Sequence, residues 1–260
     1  MALSEERVRR IDHDGYCEVL FDRPEAQNAV TAAMWERLTA ILSPLVEDPP
    51  GLVLLRGSHW NPFTAGSDVK EWTTLPLTAV DHSFGAMEHA IAQLTAVACP
   101  VLAAVDGYAL GGGFELCLAA DLRIGTERAR FGMPIARFGI MLSPAIARRL
   151  VDVLGPARSL DLLYTGRLLD GREALDVGIL NYLAPPEELQ SRTEELIRRI
   201  LDQSPASLRA AKRSVSLCLP STPPPRAGEL PYFVEPGEFQ ARVARFLHRE
   251  RPEGGAREDI

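Results

Sequence analysis

The 260-residue chain carries 28 Lys and Arg against 35 Asp and Glu, a net charge of −7, with 46% hydrophobic residues. That balance suits one large α/β domain, or a domain with a small appendage, and argues against nucleic acid or an anionic membrane as main partner. No run approaches the roughly 20 apolar residues of a membrane span, residues 1–6 lack signal-peptide order, and Cys17, Cys99, Cys117 and Cys218 show no metal-ligand spacing. A reduced, cytoplasmic setting with no metal is expected.

Residues 8–21 read as two short strands around the turn Asp12-His13-Asp14-Gly15. Val30, Met34, Leu38, Ile41 and Leu42 fall close to helical spacing and predict a helix over 29–45. The glycine-bounded apolar run 51–57 suits a buried parallel strand. A loop rich in Trp, Asn, Pro and Gly leads to a helix over 83–97, and a second buried strand covers 100–107. A glycine run, a helix through Leu118 and a strand over 122–125 follow. This alternation predicts a layered α/β fold of repeated ββα or βαβ units.

Beyond about residue 144 the pattern turns helical, with helices predicted over 144–154, 157–164, 171–175, 187–201 and 206–217. The stretch 219–236 holds Pro220, Pro223, Pro224, Pro225, Pro231 and Pro236, which rules out a regular helix there. A last amphipathic helix is predicted over 237–249, and the polar tail 253–260 is expected to be disordered. The division expected is a core domain over 1–200, a C-terminal helical region over 201–252 that includes the proline-rich segment, and the tail.

Gly111-Gly112-Gly113-Phe114-Glu115 follows a strand and opens a helix. Glycine lets the backbone turn sharply and lets a ligand approach the main chain. The first N–H groups of a helix have no internal partner and sit at its positive end. Such a place suits a carbonyl oxygen that gains negative charge, although a tight packing turn without a ligand uses the same residues. A second segment, Phe63-Thr64-Ala65-Gly66-Ser67-Asp68-Val69-Lys70-Glu71, also follows a strand. Two loops that each supply one N–H donor make an oxyanion hole.

These two segments, with Arg23-Pro24-Glu25-Ala26-Gln27-Asn28-Ala29, the strand-and-loop run 99–116, Ala120-Asp121-Leu122-Arg123-Ile124, Ala129-Arg130-Phe131-Gly132-Met133-Pro134, Ala210-Ala211-Lys212 and the ending 246–252, resemble the crotonase, or enoyl-CoA hydratase/isomerase, superfamily. The resemblance runs in order over residues 8–252. It implies the crotonase fold of ββα units with a helical C-terminal region, commonly assembled as trimers or dimers of trimers. It also implies an acyl thioester of coenzyme A, or of a carrier protein with the same pantetheine arm, as substrate. No prosthetic group is implied.

Carried over residue by residue, the resemblance assigns the oxyanion donors to the N–H groups of Ser67 and Gly112, and one acid/base carboxylate to Glu115. Arg23, Ala65 and Lys212 fall at positions that approach the coenzyme. Asp68 and Asp121 are expected to make loop and turn hydrogen bonds. The second glutamate that hydratases of the family use would follow Pro134, where this chain has Ile135. Losing one partner of an acid–base pair costs about 10²–10⁴-fold in that proton transfer. Water addition or removal on Glu115 alone is the leading expectation, an acyl-CoA lyase of hydratase/dehydratase type. Decarboxylation or another enolate-forming reaction, and thioester binding without turnover, are the alternatives. His59, His82 and His89 lie near the first loop. Arg137 either holds a substrate carboxylate or points to solvent.

Overall fold

The computed structural model describes residues 7–219, 234 and 237–249. Strands β1 (Val8–Asp12) and β2 (Tyr16–Phe21) lead to helix α1 (Ala32–Glu47) and strand β3 (Leu52–Gly57). Helices α2 (Val69–Trp72) and α3 (Leu77–Ala96) precede β4 (Val101–Val105), β5 (Tyr108–Leu110) and the short helix α4 (Gly112–Ala119). Then come β6 (Leu122–Gly125), β7 (Arg130–Gly132), a 3-10 turn over Pro134–Phe138, and the long helix α5 (Pro144–Thr165). Strand β8 (Leu169–Asp170), α6 (Gly171–Asp176), β9 (Tyr182–Leu183), α7 (Leu189–Leu201), α8 (Pro205–Cys218) and α9 (Phe239–Arg249) complete the order.

The main sheet has the order β1-β2-β3-β4-β6-β9, parallel except for the β1–β2 hairpin. A second, three-stranded sheet has the order β5-β7-β8. Strands β3 and β4 alternate their side chains between two cores, as a pleated strand must. Val53, Leu55, Val101, Ala103 and Val105 face the large core with α1, α3 and α4. Leu52, Leu54, Leu102 and Ala104 face a smaller core closed by Leu189 and Ile197 of α7. The sheet is thus covered on both faces, the layered ββα architecture that the sequence implies.

Several boundaries differ from the sequence-based expectation for local reasons. The helix predicted from residue 29 starts at Ala32, because Gln27 and Asn28 take positive φ (54° and 53°) and Val30 bridges to Ser67. Thr31 then caps it, accepting from Met34 N. Helix α3 begins at Leu77, six positions ahead of expectation. Within α5, Gly155 is non-helical (φ 74°) and precedes Pro156, the point that divides the two helices predicted there. The proline-rich segment lies outside the described residues except for Leu219 and Val234, and the tail 253–260 lies wholly outside them.

Candidate active site

The first loop is held by the residues of the 23–30 motif. Asn28 Nδ2 donates to Pro62 O (2.6 Å) and Phe63 O (3.2 Å), and its Oδ1 accepts from Arg23 N (2.6 Å). Thr64 Oγ1 donates to Asn28 O (2.7 Å), and Ala65 N donates to Gln27 O (2.9 Å). Val30 N donates to Gly66 O (2.8 Å) and Asp68 N to Val30 O (2.9 Å), which turns the N–H of Ser67 away from this pairing. The Ser67 hydroxyl accepts from Trp35 Nε1 (3.3 Å) and donates to Met87 Sδ (3.8 Å), so the side chain is anchored as well.

The second loop is laid alongside the first. Thr64 N donates to Tyr108 O (2.8 Å) and Leu110 N to Thr64 O (3.3 Å). Gly66 (φ 88°) passes so near that a Cβ there would sit 2.3 Å from Leu110 O and 3.2 Å from Gly112 N. Gly111 turns the chain into α4 with φ 50° and ψ −120°, a conformation that favours glycine. A Cβ on Gly113 would lie 2.5 Å from Thr64 O, so the third glycine is needed for the contact between the loops. Neither the Ser67 N–H nor the Gly112 N–H donates a hydrogen bond among the described residues, Gly112 being the first residue of its helix.

Every residue of α4 is buried, Glu115 among them at 3% exposure. Its Oε2 is buried without a hydrogen-bond partner. Burial pushes the carboxyl up to about 8; the positive charge of Arg149 opposes this, and the negative charge of Glu88 adds to it. The far end of α4 is closed by buried Arg123, whose Nη1 donates to Ala120 O (2.6 Å) and Cys117 O (3.3 Å). Two unpaired N–H groups from separate loops and a carboxyl that keeps its proton at neutral pH therefore share one helix start.

A sequence model for enoyl-CoA hydratase/isomerase matches residues 12–226. The chain belongs to the enoyl-CoA hydratase/isomerase family. It is similar to a probable enoyl-CoA hydratase of Mycobacterium leprae, at 36% identity over 80% of this chain and 82% of the relative. An enoyl-CoA isomerase/hydratase of Mycosarcoma maydis is 32% identical over 78% and 77% of the two chains. Among solved structures, an enoyl-CoA hydratase from Bacillus anthracis superposes with a TM-score of 0.76 at 29% identity, covering 81% of this chain and 82% of that one.

Within this crotonase-family chain, the other residues singled out from sequence fall into distinct places. Arg23 Nη1 donates to Asp68 Oδ2 (2.6 Å) and Ala29 O (2.9 Å), so its side chain ties down the Ser67 loop. Asp68 caps α2, accepting from Lys70 N (2.9 Å) and Glu71 N (3.4 Å). Lys212 Nζ donates to Cys99 O (3.0 Å) and Asp121 Oδ2 (2.7 Å), before the first residue of β4, whereas the glycine run follows the strand's other end. Ile135 is partly buried against the core. Arg137 is exposed, as the solvent alternative has it, and its Nη2 donates to Gly166 O (2.9 Å) at the C-terminal cap of α5. His59, His82 and His89 are exposed.

Two residues that the sequence reading passed over lie beside Glu115. Glu88, on α3, has Oε1 buried with no hydrogen-bond partner. Arg149, on α5, donates from Nη2 to Thr95 Oγ1 (3.2 Å) and forms no ion pair with a carboxylate among the described residues. Their signal was present in the helical pattern: Glu88 follows buried Phe84 by four positions and precedes buried Ile91 by three, and Arg149 stands three after buried Ile146.

Proposed function

We propose that this chain acts on an acyl thioester of coenzyme A as a lyase of the enoyl-CoA hydratase/dehydratase type. The observation that carries the reading is the convergence of two unpaired N–H groups, at Ser67 and Gly112, one helical turn from the buried Glu115 carboxyl. The two donors hold the thioester oxygen as it gains charge, and preorganised donors of this kind contribute about 10²–10³-fold each. Glu115, protonated at neutral pH, gives its proton to the α-carbon of the enolate. The pantetheine arm runs past Ala65, whose carbonyl accepts no hydrogen bond from the described residues. Arg23 serves coenzyme binding by fixing that loop, whereas Lys212 is held by Cys99 O and Asp121 and fixes the start of β4.

Ile135 favours a second reading, because decarboxylation makes the enolate by loss of CO2 with no carboxylate base, and water can return the proton to the α-carbon. Turnover of crotonyl-CoA by the pure protein, abolished in Glu115→Ala, supports the first reading. Decarboxylation of malonyl-CoA that survives Glu115→Ala supports the second. Tight binding of both thioesters with no turnover of either contradicts both and leaves a binding protein.

A further inference from the structure

Helix α3 carries a charge into the wall of the site. Its buried stripe, Val80, Phe84, Met87, Ile91 and Leu94, packs toward the core. Met87 belongs to the oxyanion loops' own surroundings: a Cβ on Gly112 would stand 2.8 Å from its Sδ, and the Ser67 hydroxyl reaches the same sulfur. Glu88 is the next residue. Helix α4 packs against both α3 and α5, and Glu115 lies within electrostatic reach of Glu88 on the one and Arg149 on the other. Glu88 Oε1 and Glu115 Oε2 are each buried and each lack a hydrogen-bond partner, so they are not bonded to one another.

A buried carboxyl oxygen without a partner is unfavourable unless a ligand's polar atom meets it. Two of them on neighbouring helices, beside unpaired oxyanion donors, suit a small hydroxylic reactant held between two carboxyl groups. Arg149 offsets the charge of the pair without bonding to either, which keeps both carboxyl groups free for proton transfer.

Resting on the hydratase reading, we infer that Glu88 is the second proton-transfer residue of this site, replacing the carboxylate that Ile135 cannot supply. In the hydration direction, Glu88 takes a proton from water as the water oxygen bonds to the β-carbon. The electron pair of the double bond moves into the thioester, whose oxygen is held by Ser67 and Gly112. Glu115 then gives its proton to the α-carbon. The proton on Glu88 returns to Glu115, and the pair is restored with one water added and no other reactant needed.

The test uses the full chain and crotonyl-CoA. Glu88→Gln lowers kcat for hydration about 10²–10⁴-fold with KM held within about threefold, and Glu88→Asp regains at least about tenfold over the Gln variant. A structural role alone does not produce that split with rescue. If Glu88→Gln retains kcat within about threefold of the unaltered protein, or loses only KM, the role of Glu88 is overturned while the hydratase reading stands. Should the Gln variant fail to fold, Glu88→Ala carries the test, and a kcat within about threefold of the unaltered protein overturns the role. An unaltered protein that does not hydrate crotonyl-CoA overturns the hydratase reading and this inference together.

Discussion

The raised pKa of Glu115 is a statement about stability as well as chemistry, and it has an unusual sign. In the unfolded chain the carboxyl titrates near 4.5, and in the folded protein burial raises this to about 8. Between those values the native state holds a proton that the unfolded state has lost. Stability then falls with rising pH, by about 1.4 kcal/mol per unit. Over roughly 3.5 units this amounts to about 5 kcal/mol, reached in full only above pH 8. Glu115 is fully enclosed, so solvent screening does not reduce the effect much. Glu115→Gln keeps the shape and removes the titration. Urea unfolding of both proteins at one concentration, from pH 5 to pH 9, isolates the term as the difference between the two curves. The variant is expected to gain on the parent steadily as pH rises, becoming several kcal/mol more stable relative to its position at pH 5. A difference that stays flat across the range would show that Glu115 titrates normally, and the assignment of Glu115 as proton donor at neutral pH would fail.

Hydration itself should follow the same group: kcat/KM holds level below about pH 8 and declines above it as Glu115 loses its proton, as read from a pH–rate profile. Gly113→Ala drives a Cβ to 2.5 Å from Thr64 O, a backbone atom that cannot give way cheaply. A loss of about 1–3 kcal/mol, together with a fall in kcat, is expected from denaturant unfolding and turnover. Arg23→Met removes the bond to Asp68 and loosens the Ser67 loop; about 1–3 kcal/mol of stability and about tenfold in kcat/KM are expected to go with it. Lys212→Met breaks the pair with Asp121, so Tm falls while the Kd for acyl-CoA, measured by calorimetry, stays within about threefold. A large rise in Kd would instead assign Lys212 to the coenzyme phosphate.

Much of this architecture is legible in the sequence because the signals are strong and local. The strands over 52–57 and 101–105 are continuous apolar runs between breakers, and the break in α5 is written as Gly155-Pro156. Strands β5, β7, β8 and β9 span only two or three residues, too short for a period to show; they exist because tertiary pairing holds them. The same contrast holds at the site. Ser67, Gly112 and Glu115 stand in contiguous motifs and could be named from sequence. Arg23 and Arg137 could be named but not placed, because their partners, Asp68 and Gly166, lie 45 and 29 residues away. Glu88 and Arg149 are single charges on apolar helix faces, and only the packing of α3 and α5 against α4 shows that they look at the same carboxyl.

The central claim is that the Ser67 and Gly112 N–H groups polarise a thioester carbonyl. Isotope-edited infrared spectroscopy of a carbonyl-labelled acyl-CoA bound to the protein tests it most directly. The account predicts a carbonyl stretch shifted to lower frequency on binding, retained in Glu115→Gln because the donors are backbone groups. A bound thioester whose carbonyl stretch matches that of the free ligand in water would contradict it.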